Sequence, residues 1–131
     1  MLRLVTGLLI AFSLLLSACS DNVLPADIAQ KYLELVRDNN FSQAYDLLSS
    51  DSQLKISRSA FADRMNRAKL DAAITRTDIL KVNRDPVTVD KRASVTYQLE
   101  ISLQSGQKLS LYEAMVLLQQ ENGWRVVWPP L

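Results

Sequence analysis

The chain has no histidine, one cysteine and three glycines among its 131 residues, and neither sign of charge prevails. Each scarcity excludes something. Without histidine, the commonest general base and the commonest transition-metal ligand are missing. A single cysteine cannot close a disulfide within the chain, so a folded core must hold by packing alone. A formal charge of +1 gives no electrostatic footprint for nucleic acid. No helix carries a run of cations suited to anionic lipid headgroups. Asp38-Asn39-Asn40 lacks the glycine and later glutamate of a calcium loop. No metal or other cofactor is expected, and nothing in the sequence sets an oligomeric state.

The one long apolar run is N-terminal. Arg3 precedes the stretch Leu4 to Leu16, and small residues Ser17 and Ala18 follow. Charge, apolar core and small residues in that order make a secretory signal. The run falls short of the roughly 20 residues of a transmembrane helix. Its last residues, Leu16-Ser17-Ala18-Cys19, resemble the lipobox of bacterial lipoproteins. The resemblance implies cleavage between Ala18 and Cys19 and a diacylglyceryl group on the Cys19 thiol. An ordinary signal peptide with a chance cysteine, or a free buried thiol, is the alternative. One acyl chain holds a protein only marginally, whereas two or three on one residue make a stable anchor. Ser20, where inner-membrane lipoproteins tend to carry aspartate, leans toward an outer membrane facing the periplasm if the source is Gram-negative.

The division expected is residues 1–18 as signal, 19–24 as lipidated cysteine and linker, and 25–131 as one domain. Removing Arg3 from the 15 basic residues leaves 14, equal to the 14 acidic ones. Five linker residues, Ser20 to Leu24, reach at most about 17 Å. The domain must therefore lie close to its membrane, with the lipid as its strong membrane contact.

Three helices are expected first. Pro25 suits a first helical turn and Asp27 favours the same end through the helix dipole. Ile28, Tyr32, Leu35 and Val36 recur at helical spacing, with Ala29 and Leu33 beside them, and Asp38-Asn39-Asn40 ends the run. Asn40 with Gln43 forms a capping-box pattern before the stripe Phe41, Ala44, Tyr45, Leu48. Ser49 to Ser52 reads as a polar break. A third helix begins near Ser57, with Ala60, Phe61, Met65 and Ala68 inward and Arg58, Asp63, Arg64, Arg67 and Lys69 facing water.

The period then changes to two. Ile79, Leu80 and Val82 suggest a strand, ended by Asn83 to Pro86, and Val87 and Val89 a short one. Val95, Tyr97, Leu99, Ile101 and Leu103 alternate strictly with polar residues, the mark of a strand with one face buried. Gln104 to Gln107 reads as a hairpin turn. Leu109 and Leu111 continue the inward face until Glu113, while Tyr112, Ala114, Val116 and Leu118 hold the other parity, as if a bulge intervened. Glu121-Asn122-Gly123 signals a second hairpin. Trp124, Val126 and Trp128 share one face before Pro129-Pro130. Helices followed by hairpin-linked strands give an α+β fold with an antiparallel sheet. Strands of this length twist and curl, and helices on the concave side would make a cone.

The stretches Asn40 to Leu48, Ile56 to Phe61 and Gly123 to Pro129 resemble the nuclear transport factor 2-like superfamily. More narrowly they resemble the non-catalytic N-terminal domain of low-affinity class B penicillin-binding proteins. In those proteins a terminal strand of the form Trp-x-Val-x-Trp closes the domain. This chain stops at Leu131, where they continue into a transpeptidase. Ser52-Gln53-Leu54-Lys55 matches S-x-x-K but has no Lys-Thr-Gly or Ser-Asp-Asn partner, and is read as chance.

The resemblance implies a non-catalytic accessory domain that meets an envelope protein, in a setting of cell-wall synthesis, and not an enzyme. A carrier of a small apolar ligand is the second reading. An enzyme on a small substrate is the third, since other superfamily members use a carboxylate and a tyrosine inside the cone. Tyr32, Tyr97, Tyr112 and Glu113 are the candidate cavity residues, each of which could instead be core or outward-facing. Trp124 and Trp128 are candidates for a partner surface, against core packing on the last strand.

Overall fold

The computed structural model describes residues 22–130. The segment expected as a signal, 1–18, the expected cleavage pair Ala18 and Cys19, and the first residues of the expected linker lie outside the described residues. Among the described residues no helix is long and apolar enough to cross a membrane.

Among the described residues four helices precede five strands: α1 Pro25–Arg37, α2 Phe41–Tyr45, α3 Ser50–Lys55 and α4 Arg58–Asp71, then β1 Ile74–Val82, β2 Val87–Val89, β3 Arg92–Leu103, β4 Lys108–Gln120 and β5 Gly123–Val126. The fold is α+β, with helices packed on a curled antiparallel sheet. Its strand order is β1-β3-β4-β5, and β2 joins the β1 edge by pairing with the start of β3.

Helix α1 starts at Pro25, where a missing N–H costs nothing. The Leu24 N–H donates to Asp27 Oδ2 at 3.0 Å. The helix buries Ala26, Ala29, Tyr32 and Leu33, while Ile28, Leu35 and Val36 are only partly covered. Small alanines face the sheet because they let the helix approach it closely. At the other end Asn40 N–H donates to Leu35 O and Asn39 N–H to Val36 O, with Asn39 at φ 62°. This is a Schellman motif with asparagine in the left-handed position. Asn40 thus closes α1, and its side chain makes no cap to α2, contrary to the capping-box expectation.

The expected polar break is also corrected. Ser49 is the N-cap of α3, its Oγ accepting from Ser52 N–H at 3.2 Å. Both serines are 1% exposed. Ser49 pairs with the last strand, its N–H donating to Val126 O at 2.8 Å, and Val126 N–H donates to Leu47 O at 2.8 Å. The segment before α3 therefore covers the β5 edge of the sheet.

Helix α4 is capped by Ser57, whose Oγ accepts from Ala60 N–H. Phe61 is fully buried and Met65 partly so, but Ala60 and Ala68 are exposed. Lys69 does not face water as expected. Its ammonium donates to Val36 O at 2.6 Å, Arg37 O at 3.1 Å and Asn39 Oδ1 at 2.7 Å, closing the carbonyl end of α1.

Strand β1 begins at Ile74, five residues before the apolar run expected from the sequence. Two register shifts, at Ile74/Arg76 and Ile79/Lys81, break its alternation and hid it. The bulge expected near Glu113 is absent. The β3–β4 ladder runs without a shift from Ser102↔Lys108 to Arg92↔Leu118. Leu109, Leu111, Glu113, Met115 and Leu117 thus share the inner face, and Tyr112, Ala114, Val116 and Leu118 the outer one. The hairpin at Gln104 to Gln107 is where expected, with Gly106 at φ 86°. The next turn centres on Glu121 and Asn122, and Gly123 at φ 101° opens β5.

The core lies between helices and sheet. Phe61 sits at its centre, 5.8 Å from the Tyr45 ring and edge-on to Trp128 at 5.4 Å.

Candidate functional site

The inner face of the sheet carries two of the expected polar groups together. Tyr97 of β3 and Glu113 of β4 are register partners, so both side chains leave the same face. The Tyr97 hydroxyl donates to Glu113 Oε2 at 2.9 Å. Tyr32 reaches the same region from α1 and is 7% exposed. Between α1, α4 and the sheet lies a cavity of about 260 Å³. Its walls include Tyr32, Val36, Met65, Tyr97, Leu99 and Trp128, so it is apolar with two phenols.

Burial pushes the Tyr32 phenol well above the usual tyrosine range. Tyr97 is raised as well, first by burial and then by its hydrogen bond to Glu113. Both hydroxyls are hydrogen-bond donors through the neutral range, not bases. Tyr97 has a partner in Glu113. Among the described residues Tyr32 has none, and its oxygen keeps some accessible surface at the cavity. Its hydroxyl is free to meet an acceptor on a bound molecule. Glu113 is exposed and does not line the cavity.

The remaining candidates are placed apart. Tyr112 is 75% exposed on the outer face, beside Lys81 and Gln98. Trp128 is 9% exposed and belongs to the core, with the Arg64 guanidinium 5.5 Å above its ring. Trp124 is half-buried at the edge of the core. The two indoles share the inner face, but only Trp124 reaches solvent appreciably. Among the described residues no group of three or more cysteines and acids could hold a metal ion.

Ser52 belongs to a structural cluster that sequence reasoning missed. Its Oγ accepts the Trp128 backbone N–H at 2.9 Å and lies 2.7 Å from Ser49 Oγ. A buried hydroxyl committed to two partners is no nucleophile, so S-x-x-K is coincidental here. The signal for this cluster was weak. Four polar residues in a row, Ser49 to Ser52, read as solvent-exposed loop, and only the pairing with β5 buries two of them.

No curated protein matches the chain. Several solved structures share its fold. A candidate polyketide cyclase from Xanthomonas campestris pv. campestris has a TM-score of 0.55 at 16% identity, over 79% of this chain and 89% of that one. A candidate dehydratase from the NTF2-like family of Streptomyces avermitilis has 0.52 at 12%, over 76% and 86%. A SEC-C motif containing protein from Rhodopseudomonas palustris has 0.56 at 11%, over 79% and 77%. At such identities the likeness concerns the fold alone. The family model described as the NTF2-like N-terminal transpeptidase domain matches residues 24–131. With helices over a curled antiparallel sheet and a closing Trp-x-Val-x-Trp segment, the chain belongs to that family.

Proposed function

We propose that the chain is an envelope lipoprotein, anchored through lipid on Cys19, whose domain is a non-catalytic module that binds a protein at the membrane surface. The observation that carries this reading is the family match, which starts at Leu24 and takes in the whole described fold. The burial of Ser52 supports it, since the chain's S-x-x-K serine is built into the core. A setting in cell-wall synthesis follows by analogy with transpeptidases that carry such a domain. Crosslinking in intact cells, with identification of the captured protein, tests the partner, and recovery of no envelope protein sinks it. A Cys19→Ala chain that stays with membranes through detergent extraction would overturn the anchor.

A second reading has one observation in its favour, the unpartnered Tyr32 hydroxyl over an apolar cavity of about 260 Å³. The ligand would be a small apolar molecule with one hydrogen-bond acceptor, near the lower end of ordinary pocket sizes. A ligand that binds only the folded state raises the melting temperature in proportion to the logarithm of its concentration. Titration with 2-naphthol and with an aliphatic alcohol would show that rise, and Tyr32→Phe would reduce it. A flat response to both disposes of the carrier reading.

A further inference from the structure

The first described residues lie against the opposite end of the sequence. Asn22 and Val23 line a surface depression of about 540 Å³ together with Lys31 of α1 and Trp124 and Arg125 of β5. Val23 and Leu24 are 46% and 47% exposed, apolar side chains left in solvent. Trp124 is half-buried, its remaining surface turned to this depression. Arg125 is fixed by donating to Asp46 O at 2.6 Å and Asn122 O at 3.1 Å.

Cys19 stands three residues before Asn22, at most about 10 Å of extended chain. Whatever lipid Cys19 carries is therefore held beside this depression and not beside some other face. The residues there have the composition of a membrane interface. Tryptophan settles where one side of its ring is apolar and its N–H is wet. Cations nearby are drawn to anionic lipid. Neither cation stands out along the chain, because Lys31 and Arg125 are 94 positions apart and meet only through the packing of α1 on β5.

We propose that this end of the domain, with Val23, Lys31, Trp124 and Arg125, seats directly on the bilayer, with Trp124 at headgroup depth and the Lys31 ammonium toward lipid phosphates. The seating sets the orientation of the domain and adds little to the hold of the lipid. It rests on the anchor reading above.

The test uses the full chain isolated from membranes and reconstituted into phosphatidylethanolamine–phosphatidylglycerol vesicles whose acyl chains are brominated near the headgroup. Bromine should quench the tryptophan emission of the wild type, and Trp124→Phe should lose most of that quenching, since Trp128 is buried. Lys31→Glu should weaken it as well. Equal quenching in wild type and Trp124→Phe overturns the seating, as would crosslinks from position 124 to an envelope protein in place of lipid. Failure of the full chain to float with vesicles overturns the anchor instead. In that case the chain from Cys19 onward, coupled through its only cysteine to a maleimide lipid, gives the same quenching readout, so the two failures are told apart.

Discussion

At the residue scale, two hydroxyl groups show how burial changes the meaning of a side chain. Ser52 looks like half of a catalytic motif and serves as a strut between α3 and the end of the sheet. Ser52→Ala leaves the Trp128 backbone N–H without its acceptor, and a buried unsatisfied donor costs about 1–3 kcal/mol. Urea unfolding should record a loss of that size. Tyr45 and Tyr32 make the complementary comparison. The Tyr45 hydroxyl lies 2.8 Å from Ile56 O and 3.0 Å from Gln53 O, so Tyr45→Phe should cost about 1 kcal/mol. Tyr32→Phe removes a hydroxyl with no partner among the described residues and should leave stability at neutral pH nearly unchanged.

Two phenols, Tyr32 and Tyr97, set an alkaline limit. Both Tyr32 and Tyr97 have folded pKa values raised above the unfolded value, near 10. Their contribution to stability is intact below that value. Above it the unfolded chain releases protons that the folded chain keeps, so stability falls as pH rises. Circular dichroism followed from pH 9 upward should show unfolding set off in this range. Tyr32→Phe should move the midpoint to higher pH, and an unchanged midpoint would mean that Tyr32 does not contribute.

At the element scale, α1 ends at Asp38 to Asn40 as the sequence indicated, but a lysine expected in water helps to close it. Asn39 takes the left-handed position at φ 62°, and Lys69, from α4, closes the last carbonyls. A β-branched residue at this φ is strained, and left-handed geometry costs about 1–2 kcal/mol for an ordinary residue. Asn39→Val should lose at least that much in chemical denaturation, whereas Asn39→Gly should be tolerated. Burial draws the Lys69 ammonium below its usual range. Its three acceptors explain why it is nonetheless held there rather than in solvent.

The strands were legible to different degrees for a physical reason. β3 lies inside the sheet with one face on the core, so Val95 to Leu103 alternate strictly. β4 is apolar at both parities, because its outer face also carries Tyr112, Ala114, Val116 and Leu118. Two apolar registers made Glu113 look like a break, when it stands in an unbroken inner row. It is tolerated there because it is exposed and accepts the Tyr97 hydroxyl.

At the scale of the whole molecule, Phe61 joins the helical layer to the terminal segment through Tyr45 and Trp128. Truncating a buried phenylalanine costs about 3–5 kcal/mol, a large part of the 5–15 kcal/mol that a domain of this kind has in all. Phe61→Ala should therefore bring the domain to the edge of unfolding. Far-UV circular dichroism and tryptophan emission should shift together as one cooperative transition. A separation of the two probes would show that helices and sheet unfold as independent units.

The sequence by itself determined that helices precede strands, that the hairpins are antiparallel, and the inner parity of β3 and β5. These are local properties, set by periodicity, turn chemistry and spacing between near neighbours. The tertiary structure decided which polar residues are buried, that Tyr32 and Tyr97 meet the cavity while Tyr112 does not, and that Trp128 is core while Trp124 remains at the surface. Those outcomes depend on contacts between residues far apart in the chain, such as Ser52 with Trp128 and Tyr32 with the sheet, which no local pattern encodes.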